Sequence, residues 1–167
     1  MSMPTSERNF LEKLAAHVPG LAGYRERESR RETDHRLREF LAGRLEEGRR
    51  GLDGVRNAAT SAGDMKALDA VGRLDRTLQK SIAALRYADR GYSGVFDQVK
   101  IAESELDAIY AYDAGLTADV LALSDRLRAA AGAAPGGASV AELATAAEGV
   151  DLKIGRRREI LEKPTNA

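Results

Sequence analysis

Apolar residues recur along this chain in steps of three and four, the period of a helix with one buried face; the period-two alternation of a half-buried strand is absent. The clearest run is Val99, Ala102, Leu106, Ile109, Asp113, Leu116, Val120, Leu123, Leu127 and Ala130. It predicts a helix over 96–131 with a heptad seam suited to coiled-coil-like packing. Asp113 is its one member without apolar character. A second stripe, Leu68, Val71, Leu74, Leu78, Ile82 and Leu85, predicts a helix over 65–88.

The segment 24–59 predicts one long helix of two characters. From Tyr24 to His35 it is almost wholly charged, with opposite signs three or four apart (Glu26 and Arg30, Glu28 and Arg31, Glu32 and Arg36), the pattern of a solvated helix. From Leu37 through Leu41, Leu45, Leu52, Val55 and Ala59 it becomes amphipathic. Gly43, Gly48, Gly51 and Gly54 weaken this half by about 1 kcal/mol each relative to Ala, or else allow close helix approach. Phe10, Leu11, Leu14 and Val18 predict a short helix over 5–18, ended by Pro19-Gly20. Val140, Leu143, Ala147, Val150, Ile154 and Leu161 predict a last one.

Turn chemistry separates these runs. Thr60–Gly63 reads as a turn with Asp64 as the following N-cap, and Gly91–Gly94 as a tight loop. Gly132–Ala138 reads as a flexible linker, and Ser139-Val-Ala-Glu142 as a capping box opening the last helix. The expected fold class is therefore all-α: an elongated up-and-down bundle with coiled-coil-like long helices. Its parts are a short helix and turn over 1–20, a main bundle of three long helices over 21–131, the linker over 132–138, and a C-terminal helix over 139–167 packed on the bundle.

Composition narrows the function. The 167 residues contain 26 basic and 26 acidic side chains, which argues against a domain built mainly to grip nucleic acid. With no Cys, thiolate chemistry and disulfides are excluded; with two His, multi-His metal sites are disfavoured. No apolar run approaches a membrane span and the start MSMPTSERNF has no apolar signal core, so a cytoplasmic protein is expected. The zero charge hides a pattern. Residues 25–94 carry 16 basic and 12 acidic groups, 95–151 carry 3 and 10, and 152–167 carry 5 and 2. An acidic segment thus lies between basic ones, which either neutralise it locally or leave oppositely charged docking faces.

Candidate chemistry is sparse. Glu32-Thr-Asp-His35 places a carboxylate and an imidazole on one helix face, the spacing that di-iron bundles use twice. Here it occurs once, since His17 has Leu14 three residues before it. Glu32 and His35 are metal candidates only, in surroundings too charged for a bundle interior. Asp113 in an apolar seam requires a partner, because an unpaired buried carboxylate is costly; an Arg of the second or third helix would fix helix register. A cation site with Glu103, Glu105 or Asp107 is the alternative, although those residues do not all share its face.

Tyr87, Arg90, Tyr92 and Phe96 gather around Gly91–Gly94, in the composition of a protein contact or of a helix corner; the loop lacks the Lys and preceding strand of a phosphate-binding P-loop. Arg156–Arg158 either touch an anionic surface weakly or complement the helix dipole. No spacing suggests a nucleophile, a relay or a cofactor, so no catalytic residue is assigned.

The stretches Pro19-Gly-Leu-Ala-Gly-Tyr-Arg-Glu-Arg-Glu-Ser-Arg-Arg31 and Arg86-Tyr-Ala-Asp-Arg-Gly-Tyr-Ser-Gly94 resemble a family of small bacterial helical proteins of unassigned activity, over about residues 10–128. The resemblance implies an all-helical bacterial protein encoded near membrane scaffold proteins of the SPFH type, and carries over no catalytic residue.

The function expected is a non-enzymatic interaction or scaffold protein, contacting partners or a second copy through Tyr24–Arg38 and through Tyr87, Arg90, Tyr92 and Phe96. The alternatives are a ferritin-like metal-binding bundle and a peripheral membrane or nucleic-acid adaptor using the basic tail.

Overall fold

The computed structural model describes residues 12, 16–17, 29–88, 103–133 and 136–162. Five helices are present among them: α1 (Ser29–Arg50), α2 (Leu52–Ala62), α3 (Met65–Arg86), α4 (Glu103–Ala131) and α5 (Gly137–Glu162). The helix expected over 5–18 and the loop at Gly91–Gly94 fall largely or wholly outside the described residues, as do Tyr24, Arg90, Tyr92 and Phe96.

The long helix expected over 24–59 is interrupted at Gly51, whose N–H reaches only to the Gly48 carbonyl, 3.1 Å away. Gly51 keeps right-handed helical angles (φ −68°, ψ −19°), so α2 continues α1 after a tightened turn. The glycines explain why this happens here. A Cβ on Gly48 would stand 2.8 Å from Leu127 Cδ1, and one on Gly51 2.8 Å from Ala131 Cβ. Their bare backbone lets α4 approach, and Ser124 on α4 donates to the Arg44 carbonyl at 2.8 Å across the same seam.

α2 runs to Ala62, past the turn expected at Thr60–Gly63, and stops at Gly63, which adopts φ +66°. The Asp64 N–H bonds the Ala59 carbonyl at 3.0 Å, closing the carbonyls that a helix end leaves open. Asp64 caps α3 as its sequence position predicts, accepting the Ala67 N–H at 2.9 Å. The start of α5 differs from expectation. The helix begins at Gly137, so Ser139 lies inside the first turn rather than capping it.

The fold is an all-α bundle of four rods, with α1 and α2 together forming one. α1 packs beside α3 and α4, and α5 packs beside the same two, most extensively with α3; α1 and α5 face each other across one diagonal, α3 and α4 across the other. Direction alternates in chain order. Arg49 meets Asp75 and Arg38 meets Leu85, so α1 and α3 are antiparallel; Asp119 meets Lys153 and Asp113 meets Arg157, so α4 and α5 are too. α5 is therefore one of the four walls rather than an element laid on three others. The core is formed by the stripes the sequence displays, with Leu41, Leu45, Val55, Val71, Leu74, Leu78, Leu116, Val120, Leu127, Val140 and Ala147 all buried.

Candidate functional site

Away from its apolar middle, the bundle buries charge. α1 turns Asp34 and Arg38 inward, one helical turn apart and 8% and 2% exposed. α4 contributes Asp113 and α5 contributes Arg157, 3% and 5% exposed. The Arg157 guanidinium donates from Nε to Asp113 Oδ1 at 2.6 Å and from Nη2 to Asp113 Oδ2 at 2.9 Å. The same Nη2 donates to Asp34 Oδ1 at 2.6 Å. Arg38 Nε donates to the other oxygen of Asp34 at 2.9 Å, and Arg38 Nη1 to the Leu85 carbonyl at the end of α3 at 2.8 Å. One chain of hydrogen bonds thus passes through all four walls, with two positive and two negative charges.

Electrostatics follow from this balance. Burial pushes the Asp113 carboxyl above the usual carboxylate range; the charge and hydrogen bonds of Arg157 oppose that, and Asp34 adds to it. Burial also works against the Arg157 charge, but the charges and hydrogen bonds of Asp113 and Asp34 outweigh it and hold the guanidinium protonated. Thr117 donates to the Asp113 carbonyl at 2.7 Å, so this buried hydroxyl of α4 is also satisfied.

Asp113 and its need for a cation are visible in the sequence, but the cation is not. Its partner is Arg157 of the last helix, not an Arg of the second or third. Adjacency groups Arg157 with Arg156 and Arg158 as one basic run; those two are exposed and Arg157 is buried. The signal lies in the α5 stripe, where Ile154 and Leu161 stand seven apart and position 157 is the missing inward step. The α1 stretch containing Asp34 and Arg38 likewise reads as solvated because charge is taken to mean exposure. Both residues are interior, and what distinguishes them from a surface pair is their contact with Arg157 and Leu85, far away in sequence.

The other candidates separate. Glu32 accepts from Arg36 Nε at 2.7 Å, the pair expected from their spacing, and His35 is exposed. Among the described residues no group of three His, Asp or Glu side chains is placed to hold a metal ion. Tyr87 is 71% exposed where α3 ends. At the opposite end of the bundle a groove of about 500 Å³ lies between the first turns of α3 and α5, lined by Asp64, Lys66, Asp69, Ala70, Arg73, Gly137 and Ala141.

Much of the acidic segment 95–151 is matched internally: Asp113 by Arg157, Asp119 by Lys153, Asp125 by Arg44 and Arg128, and Asp151 by Lys80. No helix among the described residues is long and apolar enough to cross a membrane. Comparison with known proteins finds no matching family model, no matching curated protein and no matching solved structure.

Proposed function

We propose that this chain is a non-enzymatic interaction or scaffold protein, a rigid helical framework that presents side chains at the Tyr87 end to a protein partner. The observation that carries this reading is the near-complete satisfaction of the interior, in which Arg44 Nε is the one buried side-chain nitrogen or oxygen without a partner among the described residues. Among the described residues the buried polar side chains are Asp34, Arg38, Ser81, Asp113, Thr117, Ser124 and Arg157, and each is committed to another side chain or to backbone. A site that moves protons or binds substrate keeps convergent polar groups available in a cleft; in the groove between α3 and α5, Asp64 is already engaged as the cap of α3. Tyr87, by contrast, exposes a large aromatic at a helix end, the residue type that dominates contact energies.

The likeness of Pro19–Arg31 and Arg86–Gly94 to small bacterial helical proteins encoded near SPFH-type scaffolds supports the same reading, and would give the chain a cytoplasmic setting beside a membrane-bound assembly. A photo-crosslinking residue at position 87 tests the proposal in the full-length protein. Covalent capture of a defined partner, or of a second copy, is expected from position 87 and not from position 53 at the far side of the Gly51 joint. Equal capture from both positions, or none from either with strictly monomeric light scattering, would reject it.

A further inference from the structure

The ionic chain has an asymmetry that its overall neutrality conceals. It divides into two neutral pairs. Asp34 and Arg38 both belong to α1, whereas Asp113 and Arg157 join α4 to α5. One bond, from Arg157 Nη2 to Asp34 Oδ1, joins the pairs. Peeling α5 away strips Arg157 from two buried carboxylates and leaves them with Arg38 alone. Peeling the start of α1 away separates neutral from neutral. In a poorly screened interior the first route leaves an uncompensated charge and the second does not.

The packing of α1 agrees. From Glu32 to Glu39 its inward side chains are Asp34, Leu37 and Arg38, with Leu37 the one buried apolar side chain; Leu41, Ala42 and Leu45 begin the continuous apolar face only after this. α5 has no such division at this level, since buried Ile154 and Leu161 bracket Arg157, and Leu116 follows Asp113 on α4. We infer that residues 32–40 of α1 form a strap, closed onto α5 by the Asp34–Arg157 bond and onto the end of α3 by the Arg38–Leu85 bond, which opens as a unit while the Arg157–Asp113 pair stays intact. This conformational device goes beyond the proposed interaction role and does not depend on it.

Native-state hydrogen exchange on the full chain tests it. In the wild type, amides of residues 34–40 are expected to exchange through a smaller opening than those of 113–120 and 154–161. Asp34→Asn with Arg38→Gln removes the strap's own neutral pair. Exchange of the strap amides should accelerate roughly 10- to 100-fold, the effect of losing hydrogen bonds to charged groups, with little change at 113–120 and 154–161. Asp113→Leu with Arg157→Met leaves every strap residue in place and should release the strap to a similar degree. If the α5 amides accelerate first in the Asp34/Arg38 variant, if all helices accelerate equally, or if the Asp113/Arg157 variant leaves the strap unchanged, the inference fails. Urea unfolding of both variants separates local opening from global loss of fold.

Discussion

Arg157 and Asp113 meet side-on, two guanidinium nitrogens donating to the two oxygens of one carboxylate at 2.6 and 2.9 Å, from helices that run in opposite directions. Such fork-on-fork geometry is among the strongest forms of side-chain hydrogen bonding and also among the most demanding of register. Its value lies in the cost of breaking it singly. Arg157→Met leaves Asp113 and Asp34 buried with Arg38 as their shared cation, and should destabilise the bundle by about 3–5 kcal/mol. Asp113→Leu combined with Arg157→Met removes both charges and should cost less than Arg157→Met alone, because no buried carboxylate loses its only partner. Urea unfolding followed by far-ultraviolet circular dichroism gives both values. A double variant less stable than Arg157→Met would mean that the pair itself, not the avoidance of unpaired charge, holds the helices together.

The glycines of the long helices predict opposite responses to one substitution. Gly48 faces Leu127, which is wholly buried and has no space to yield, so Gly48→Ala should cost about 1–3 kcal/mol through overpacking. Gly115 and Gly149 lie within α4 and α5 with open space where a Cβ would stand. There, Ala should stabilise by up to about 1 kcal/mol, the gain in helix propensity. Thermal melts of the three single variants decide the matter, and a destabilised Gly115→Ala would point to something packed on that face.

At the α2–α3 corner, Gly63 and Asp64 act on adjacent elements. Gly63 has φ +66°, where a Cβ costs about 1–2 kcal/mol, and Asp64 supplies the cap of α3. Asp64→Ala should cost about 1 kcal/mol and Asp64→Ser much less, since Ser retains a capping oxygen. Equal losses for Ala and Ser in chemical unfolding would remove the cap from the account.

How much of this was legible in the residues follows from what each stripe contained. The inward face of α3 was largely legible: Val71, Leu74, Leu78, Ile82 and Leu85 recur at helical spacing and are buried, whereas Leu68 of the same stripe is half-buried and the small residues Ala67, Ala70 and Ser81 are buried without belonging to it. The break at Gly51 was not legible, because four glycines in one helix signal close approach without saying which pair meets Leu127 and Ala131. The ionic site was half legible. Asp113 stood out against apolar neighbours, whereas Asp34, Arg38 and Arg157 sat among charged neighbours and resembled surface. The partners of Arg157 lie 44 and 123 positions away, and local periodicity carries no such information.

Acid unfolding should carry the signature of one surface pair. Arg86 Nη2 donates to Glu46 Oε2 at 2.6 Å, tying the end of α3 to the last two turns of α1. That hydrogen bond, then the charge of Arg86, hold the Glu46 carboxyl below its ordinary value. A carboxyl depressed in the folded state contributes stability above its unfolded pKa and loses it as pH falls through the folded one. Glu46→Gln should therefore be less stable than wild type at about pH 7, with the difference shrinking as pH falls below the ordinary Glu value of about 4.3 and lost once it has passed below the depressed folded value. Because the pair is part-exposed, about 1 M salt, where the screening length is about 3 Å, should also shrink it at neutral pH. Urea midpoints of the two proteins across this range are the measurement. A difference that stays constant with pH and salt would assign the contribution of Glu46 to packing of its methylenes against α3 instead of to its charge.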